Sequence, residues 1–265
     1  MIVITIPLRF TEIYMIKISI ITVVYNNKLI TDAIKSVLNQ NYKNVEYIVI
    51  DGGSNDGTLE IVKAYGKSIN KLVSEPDHGI YDAINKGIKI ATGDVIGILN
   101  SDDFFSNNNV LTNITQEFDT DENIEALYAD VAFVDRFDTN NVLRYYSSKR
   151  FRPWMFRFGF QPAHPTFYVR KDVFGKLGYY RTDLGIAGDF ELLIRFLQKG
   201  KLRYKYINKQ LVTMRIGGVS TSGLSSIKKL NSEIKLALKL NGIYSNNLFI
   251  YSKYFIKWWG FIFKK

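Results

Sequence analysis

Two hydrophobic rhythms alternate along the first hundred residues. Residues 17–24 (KISIITVV) form a nearly continuous β-branched run, the composition of a strand buried on both faces. Apolar pairs at 29/30, 33/34 and 37/38 follow, at the spacing of an amphipathic helix. The pattern then repeats: a strand over 45–50 (VEYIVI), a helix over 58–69, a short strand over 71–74, a helix over 80–91 and a buried strand over 94–99 (DVIGIL). Strands alternating with helices imply right-handed crossovers and a mainly parallel, Rossmann-like sheet flanked by helices, so the fold class is α/β. Beyond residue 103 the rhythm loosens. Residues 126–134 and 202–214 read as strands, and 189–199 and 225–240 as helices. No internal repeat or Pro/Gly/Ser-rich linker interrupts the chain. The expected division is an extension over 1–14, a body over 15–222 whose halves meet at 103/104, and a helical C-terminal segment over 223–265.

Composition narrows the chemistry. A chain of 265 residues, 46% hydrophobic and 23% charged, can bury a sizeable core and is neither disordered, collagenous nor a coiled coil. It has no cysteine, which removes disulfides and thiolate metal sites, and its two histidines, His78 and His164, are too few for a histidine-rich one. A metal here is held by oxygen, which points to Mn²⁺ or Mg²⁺. Lys and Arg number 35 against 25 Asp and Glu, a net +10, and after Glu191 the sole acid is Glu233. Together with 14% aromatic residues, this excess suggests a nucleic acid or a membrane surface as partner.

Two segments concentrate that character. Residues 144–160 carry five basic and seven aromatic residues, and residues 244–265 carry nine aromatics, four lysines and no acid. Drawn as a helix, 244–265 places Lys253, Lys257 and Lys264 near one face; it lies in an anionic membrane interface or packs on the body. No run of about 18 uncharged apolar residues exists, so no spanning helix is expected. Residues 1–14 lack the apolar core and cleavage site of a signal peptide. Met15 directly precedes the first strand, so an extension and a misassigned start both fit.

Ligands of open parallel sheets bind beyond the carboxyl ends of the strands. Three polar strand ends stand out: Tyr25-Asn26-Asn27, then 51–57 (DGGSNDG), then Asn100-Ser101-Asp102-Asp103. Adjacent carboxylates after an apolar strand repel each other and gain from a divalent cation; the alternative is an N-cap for a helix near 107–118. The 51–57 loop is neither an EF-hand nor a GxGxxG fingerprint, and P-loop and GxSxG motifs are absent.

Taken together, TVVYN (22–26), DGGSNDGT (51–58), SEPDHGIYDAINKGIKIATGD (74–94) and LNSDD (99–103) resemble the inverting family 2 glycosyltransferases of the GT-A fold, most of all those of bacterial capsule and exopolysaccharide synthesis, the colanic-acid type. The likeness continues through HPTFYVRKDVF (164–174), AGDFELLIRF (187–196) and RIGGVS (215–220), covering roughly 16–220. It implies that 15–103 binds the nucleotide sugar and 104–222 the acceptor. Val24, Tyr25 and Asn26 would line the base pocket, with Asp51 on the base. Asp77, Asn85 and Lys86 would lie near ribose or diphosphate. Asp102 would face ribose and metal, and Asp103 would be the direct metal ligand. Asp189 falls at the general base, in a motif that more often reads Glu-Asp where this chain has Gly188. Glu191 is the alternative base.

The residues themselves leave choices open: Asp189 also suits a helix N-cap, and His164, between prolines, suits either the site or a structural hydrogen bond. Arg215 suits a flap over the donor diphosphate or an ordinary loop. The implied activity is metal-dependent transfer of a sugar from a nucleotide donor, UDP-linked, to a lipid-linked saccharide in surface polysaccharide synthesis. The expected location is peripheral, at the cytoplasmic face of the bacterial plasma membrane, with no nucleic acid bound. The rivals are a nucleotidyltransferase acting on sugar phosphates and a basic nucleic-acid-binding protein.

Overall fold

The computed structural model describes residues 15–217 and 224–262, so the expected extension over 1–14 and the second half of the RIGGVS segment, 218–220, lie outside the described residues. The first half follows the sequence rhythm closely: β1 (Ile18–Val24), α1 (Ile30–Leu38), β2 (Val45–Asp51), α2 (Thr58–Lys63), β3 (Lys71–Ser74), α3 (Ile80–Ile90) and β4 (Val95–Ile98). The helix expected over 58–69 ends early. Gly66 adopts a left-handed φ of 51°, and a separate 3-10 turn, Gly66–Ser68, leads into β3.

After β4 come β5 (Phe104–Phe105), α4 (Val110–Thr120), β6 (Ala126–Val134), β7 (Val142–Tyr146), a 3-10 turn over Pro153–Phe158, β8 (Tyr168–Arg170) and α5 (Asp172–Leu177). Then follow α6 (Gly188–Leu193), which continues as a π-helical turn over Ile194–Lys199, β9 (Tyr204–Arg215), α7 (Leu224–Leu240) and α8 (Asn247–Ile262). All nine strands among the described residues join one sheet in the order β3-β2-β1-β4-β8-β6-β9-β5, with β7 on β6. The strands β3, β2, β1 and β4 are mutually parallel. β8 then enters antiparallel to both β4 and β6, while β6 and β9 run parallel to each other.

Side chains alternate between two cores. Ile21, Val23, Ile48 and Ile50 face α3, whereas Ile18, Ile20, Tyr47 and Val49 face the side covered by α1 and α4. This two-sided burial is what the unbroken apolar runs encode. The amino end of the sheet is pinned by one carboxylate. Glu46 accepts from Ser19 Oγ (2.6 Å), Thr92 N (2.7 Å) and Thr92 Oγ1 (2.8 Å) and pairs with Lys71 Nζ at 2.8 Å. The carboxyl end is where the polar loops gather.

Candidate functional site

The parallel register sets Val24, Asp51 and Ser74 side by side on β1, β2 and β3. Asp51 is fully buried. Its carboxylate accepts from Ser74 Oγ (2.7 Å) and from the amides of Gly53 and Ser54, which shapes the loop after β2. Asn26, held at a left-handed φ of 48°, donates its amide to Ser54 Oγ (2.8 Å) and accepts from Asn55 N (2.9 Å). Asn27 Nδ2 donates to Ser101 Oγ at 3.1 Å, so the loop after β1 is tied to its neighbours on both sides. Tyr25 is left 62% exposed above them, its ring beside Gly52 and Asp77. A Cβ at Gly52 would collide with the Asp77 carboxylate, which fixes why glycine stands there. Val24, Tyr25, Asn26, Asp51 and Asp77 therefore occupy one edge.

Asn85 and Lys86 are placed differently. Asn85 is buried and spends both polar ends on the Tyr180 backbone, Nδ2 donating to O at 2.8 Å and Oδ1 accepting from N at 3.0 Å. Lys86 Nζ binds Pro76 O and Glu75, both at 2.9 Å, bracing the loop that carries Asp77.

Helix α4 starts at Val110 behind Asn109, so neither Asp102 nor Asp103 caps it. Asp103 is 2% exposed and accepts from Asn100 Nδ2 at 3.0 Å. Burial, and then the neighbouring charge of Asp102, push its carboxyl up to about 8. A buried acid facing a like charge is suited to a cation, and the donors offered are oxygens. Among the described residues no cluster of three or more acidic or histidine side chains could hold a metal alone. The fit is thus to Mg²⁺ or Mn²⁺ completed by substrate oxygens and water.

Arg215 does not reach outward. Its guanidinium is buried over the Phe104 ring, donates from Nη1 to Asp102 O (2.8 Å) and pairs with Asp32 of α1. It braces the backbone of the paired aspartates.

Asp189 lies in the first turn of α6, whose N-cap is Ala187, so it is not the cap. Its Oδ2 accepts from Gln161 Nε2 at 3.0 Å, and its Oδ1 lies 3.4 Å from the Tyr81 hydroxyl, which donates to Ile186 O at 2.7 Å. Tyr81 belongs to the first turn of α3, just past the carboxyl end of β3; this carries Asp189 to the same edge of the sheet. A Cβ at Gly188 would sit 2.6 Å from the Tyr81 ring, so that ring fills the place of the side chain the Glu-Asp pattern expects. Tyr81 stacks on Tyr180 (5.7 Å, 9°), whose hydroxyl meets His164 Nε2 at 2.8 Å. Burial lowers the His164 pKa against the pull of Asp189, favouring the neutral ring.

Glu191 points the other way. It is buried, pairs with Arg195 (2.9 Å) and accepts at 3.2 Å from Nδ2 of Asn241, the residue after α7, consistent with a structural role. Two residues escaped the sequence reading, Gln161 and Tyr81. Gln161 precedes the Pro162–Pro165 stretch without any pattern of its own. Tyr81 reads as one more apolar position on α3.

Residues 19–184 match the model of glycosyl transferase family 2. An uncharacterized glycosyltransferase of Mycobacterium tuberculosis is 32% identical over 181 residues, covering 67% of this chain and 68% of that one. Among solved structures, S. aureus TarS superimposes with a TM-score of 0.63 at 20% identity, over 84% of this chain and 39% of that chain. The chain thus spans well under half of that structure. The mannosyltransferase PcManGT of Pyrobaculum calidifontis, in complex with GDP-Man and Mn²⁺, gives 0.61 at 19% identity, over 86% of this chain and 65% of that one. The sheet is that of the GT-A fold, and the chain is a glycosyltransferase that belongs to family 2.

Proposed function

We propose that the protein transfers one sugar, with inversion, from a UDP-linked donor to a lipid-linked saccharide during surface polysaccharide synthesis. The observation that carries this reading is the gathering, at one edge of the sheet, of a pair of aspartates suited to a cation and a separate carboxylate, Asp189, held by its own partners. In this reading 15–103 takes the donor, 104–222 the acceptor, and 223–265 serves the membrane face. Support for a nucleotide-sugar donor comes from TarS, solved with UDP-GlcNAc, and PcManGT, solved with GDP-Man.

Tyr25 offers an exposed ring for the base and Asp77 a carboxylate for ribose hydroxyls. Asp103 and Asp102 would hold Mn²⁺ or Mg²⁺, which when bound neutralises charge on the departing diphosphate. Asp189 takes the proton of the acceptor hydroxyl as its oxygen attacks the anomeric carbon from the face opposite the diphosphate. Gln161 keeps the Asp189 carboxylate turned toward the site, and neutral His164 adds no competing charge. The enzyme works peripherally at the cytoplasmic face of the plasma membrane.

The decisive experiment incubates the full chain with Mn²⁺ and a panel of nucleotide sugars and measures the phosphorus product. Nucleoside diphosphate is expected; pyrophosphate would mean nucleotidyl transfer instead. Asp103→Asn should abolish the Mn²⁺-dependent part of UDP binding in calorimetry, and unchanged affinity removes Asp103 from the metal.

A further inference from the structure

Two stretches free of Asp and Glu, 139–171 and 234–265, lie far apart in the sequence. The structure packs their parts together. The turn Pro153–Phe158 rests against α8, and a run of rings crosses the junction: Trp154 to Phe158 at 6.0 Å, Phe158 to Phe249 at 5.0 Å, and Phe249 to Tyr244 at 6.3 Å. The middle of this run is half-buried and its ends are wet, with Trp154 61% and Tyr244 69% exposed. Around Tyr244, Leu236 and Leu240 of α7 and Leu248 and Tyr251 of α8 are exposed as well. Isolated exposed apolar residues need no explanation, but a contiguous group on one helical pair does.

The charges beside these rings are of one sign. Lys149, Arg150, Arg152 and Arg157 are exposed around the Trp154 turn, and Lys235 and Lys239 around Leu236 and Leu240. An open cleft of about 460 Å³ runs between Lys235, Lys239 and Tyr244. Glu233, the acid that borders the second stretch, is turned inward, accepting from the amides of Ile186 and Ala187.

We propose that this composite face, the 153–158 turn together with the outer sides of α7 and α8, seats on an anionic lipid bilayer. It deepens the reading of a lipid-linked acceptor, and rests on it for its purpose. Trp and Tyr rings with one wet end settle at the headgroup boundary, the leucines enter the acyl margin, and the basic residues meet anionic headgroups. No described helix is long and apolar enough to cross a membrane, so contact is in the plane of the interface. Single-stranded nucleic acid would use the rings and the charges but leave the three exposed leucines of the helical pair, Leu236, Leu240 and Leu248, without a role.

The face differs from the one a helical drawing of 244–265 suggests. Lys253 is not presented outward: it is buried, its Nζ on Asn231 Oδ1 at 2.9 Å, packed beside Gly159. The docked end of α8 thus turns a lysine inward and takes its outer basic partners from α7 and from residues 149–157. The same turn reaches the catalytic side, because Phe156 meets Phe190 edge to face at 5.5 Å, one residue from Asp189. Bilayer contact would therefore sit one aromatic layer from the general base.

The test is sedimentation of the full chain with phosphatidylcholine vesicles, with and without phosphatidylserine. Trp154→Ala combined with Tyr244→Ser should lower partition on both kinds of vesicle. Lys235→Glu combined with Lys239→Glu should lower it only on anionic vesicles, by more than tenfold, since each basic residue near such a surface contributes about fivefold. All four positions are exposed, and an unchanged melting temperature confirms folding. Nucleoside diphosphate release measured without vesicles should stay at the wild-type rate. A chain that pellets normally yet releases none defeats the transfer reading and leaves this one standing. Variants that pellet as strongly as wild type, or that lose affinity for single-stranded DNA while keeping vesicle partition, overturn the proposal.

Discussion

On the side of the site proposed for the donor, the loops after β1, β2 and β4 are tied together through main-chain amides and short side chains: Asn26 to Ser54 and Asn55, Asp51 to Gly53 and Ser54, Asn27 to Ser101. Asp189, across the site, accepts on one oxygen from the adjacent Phe190 amide (2.7 Å) and on the other from a single distant side chain, Gln161 Nε2, 28 residues away (3.0 Å). A loop knitted through its own backbone tolerates change at any one side chain. A carboxylate whose outer oxygen rests on one distant side chain does not. The donor side is therefore expected to be robust in shape and the acceptor side to be fragile in chemistry.

Asp189→Asn presses hardest on this contrast. It should cut turnover by about 10²–10⁴, the usual contribution of a general base, while UDP affinity with Mn²⁺ stays at the wild-type value. Loss of both together would mean that the two sides are not separate. Gln161→Ala removes one hydrogen bond to a charged group and should lower kcat by about ten- to a hundredfold with the donor KM unchanged. Should Gln161→Ala raise KM instead, the glutamine touches substrate and does not act through Asp189.

Gly52→Ala tests the other side. The new Cβ displaces the Asp77 carboxylate, and calorimetry should show UDP affinity reduced by about tenfold, the scale of one lost hydrogen bond to a charge, with an unchanged melting temperature. A fall in melting temperature would show that the donor loop is less robust than its hydrogen bonds suggest.

The smallest effect concerns the pin at the amino end. Burial works to raise the Glu46 carboxyl, but hydrogen bonds from Lys71, Ser19 and Thr92 outweigh it and hold the group at about 2, below its ordinary 4.5. A carboxyl lowered in the folded state stabilises fully above 4.5, and that stabilisation is lost as pH falls toward 2. The melting-temperature gap between wild type and Glu46→Gln should therefore be widest near neutrality and narrow below pH 4.5. A gap constant with pH would assign the effect to packing.

How much of this was legible follows from the same contrast. The bounds of β3 and β6 match the sequence reading residue for residue, and β1, β2 and α3 match within a residue or so; for β1, β2 and β6 burial on two faces writes itself as apolar runs. The paired aspartates were legible as a strand end. β5, β7 and β8, of two, five and three residues, carry too few positions for any period to show. Gln161 and Tyr81 were invisible for another reason: each acts through a partner set by the tertiary fold. Glu191, Asn85 and Arg215 have suitable chemistry, but their burial against Arg195, Tyr180 and Asp32 is decided by packing.

The sheet order also bears on how the protein is made. A ribosome releases β1 to β4 first, and their parallel pairing is complete once residue 98 is out. The outer edge of β4 is closed only by β8, through the pairs Val95–Arg170, Ile96–Val169 and Gly97–Tyr168. Some seventy residues separate the two events, roughly 4–14 s at translation rates of about 5–20 residues per second. Throughout that interval a nascent chain shows an apolar strand with unpaired amides and carbonyls, a template for any extended segment nearby. Slow codons or stalled synthesis between residues 98 and 168 would lengthen it, and with it the time in which the open edge of β4 can pair with the wrong strand.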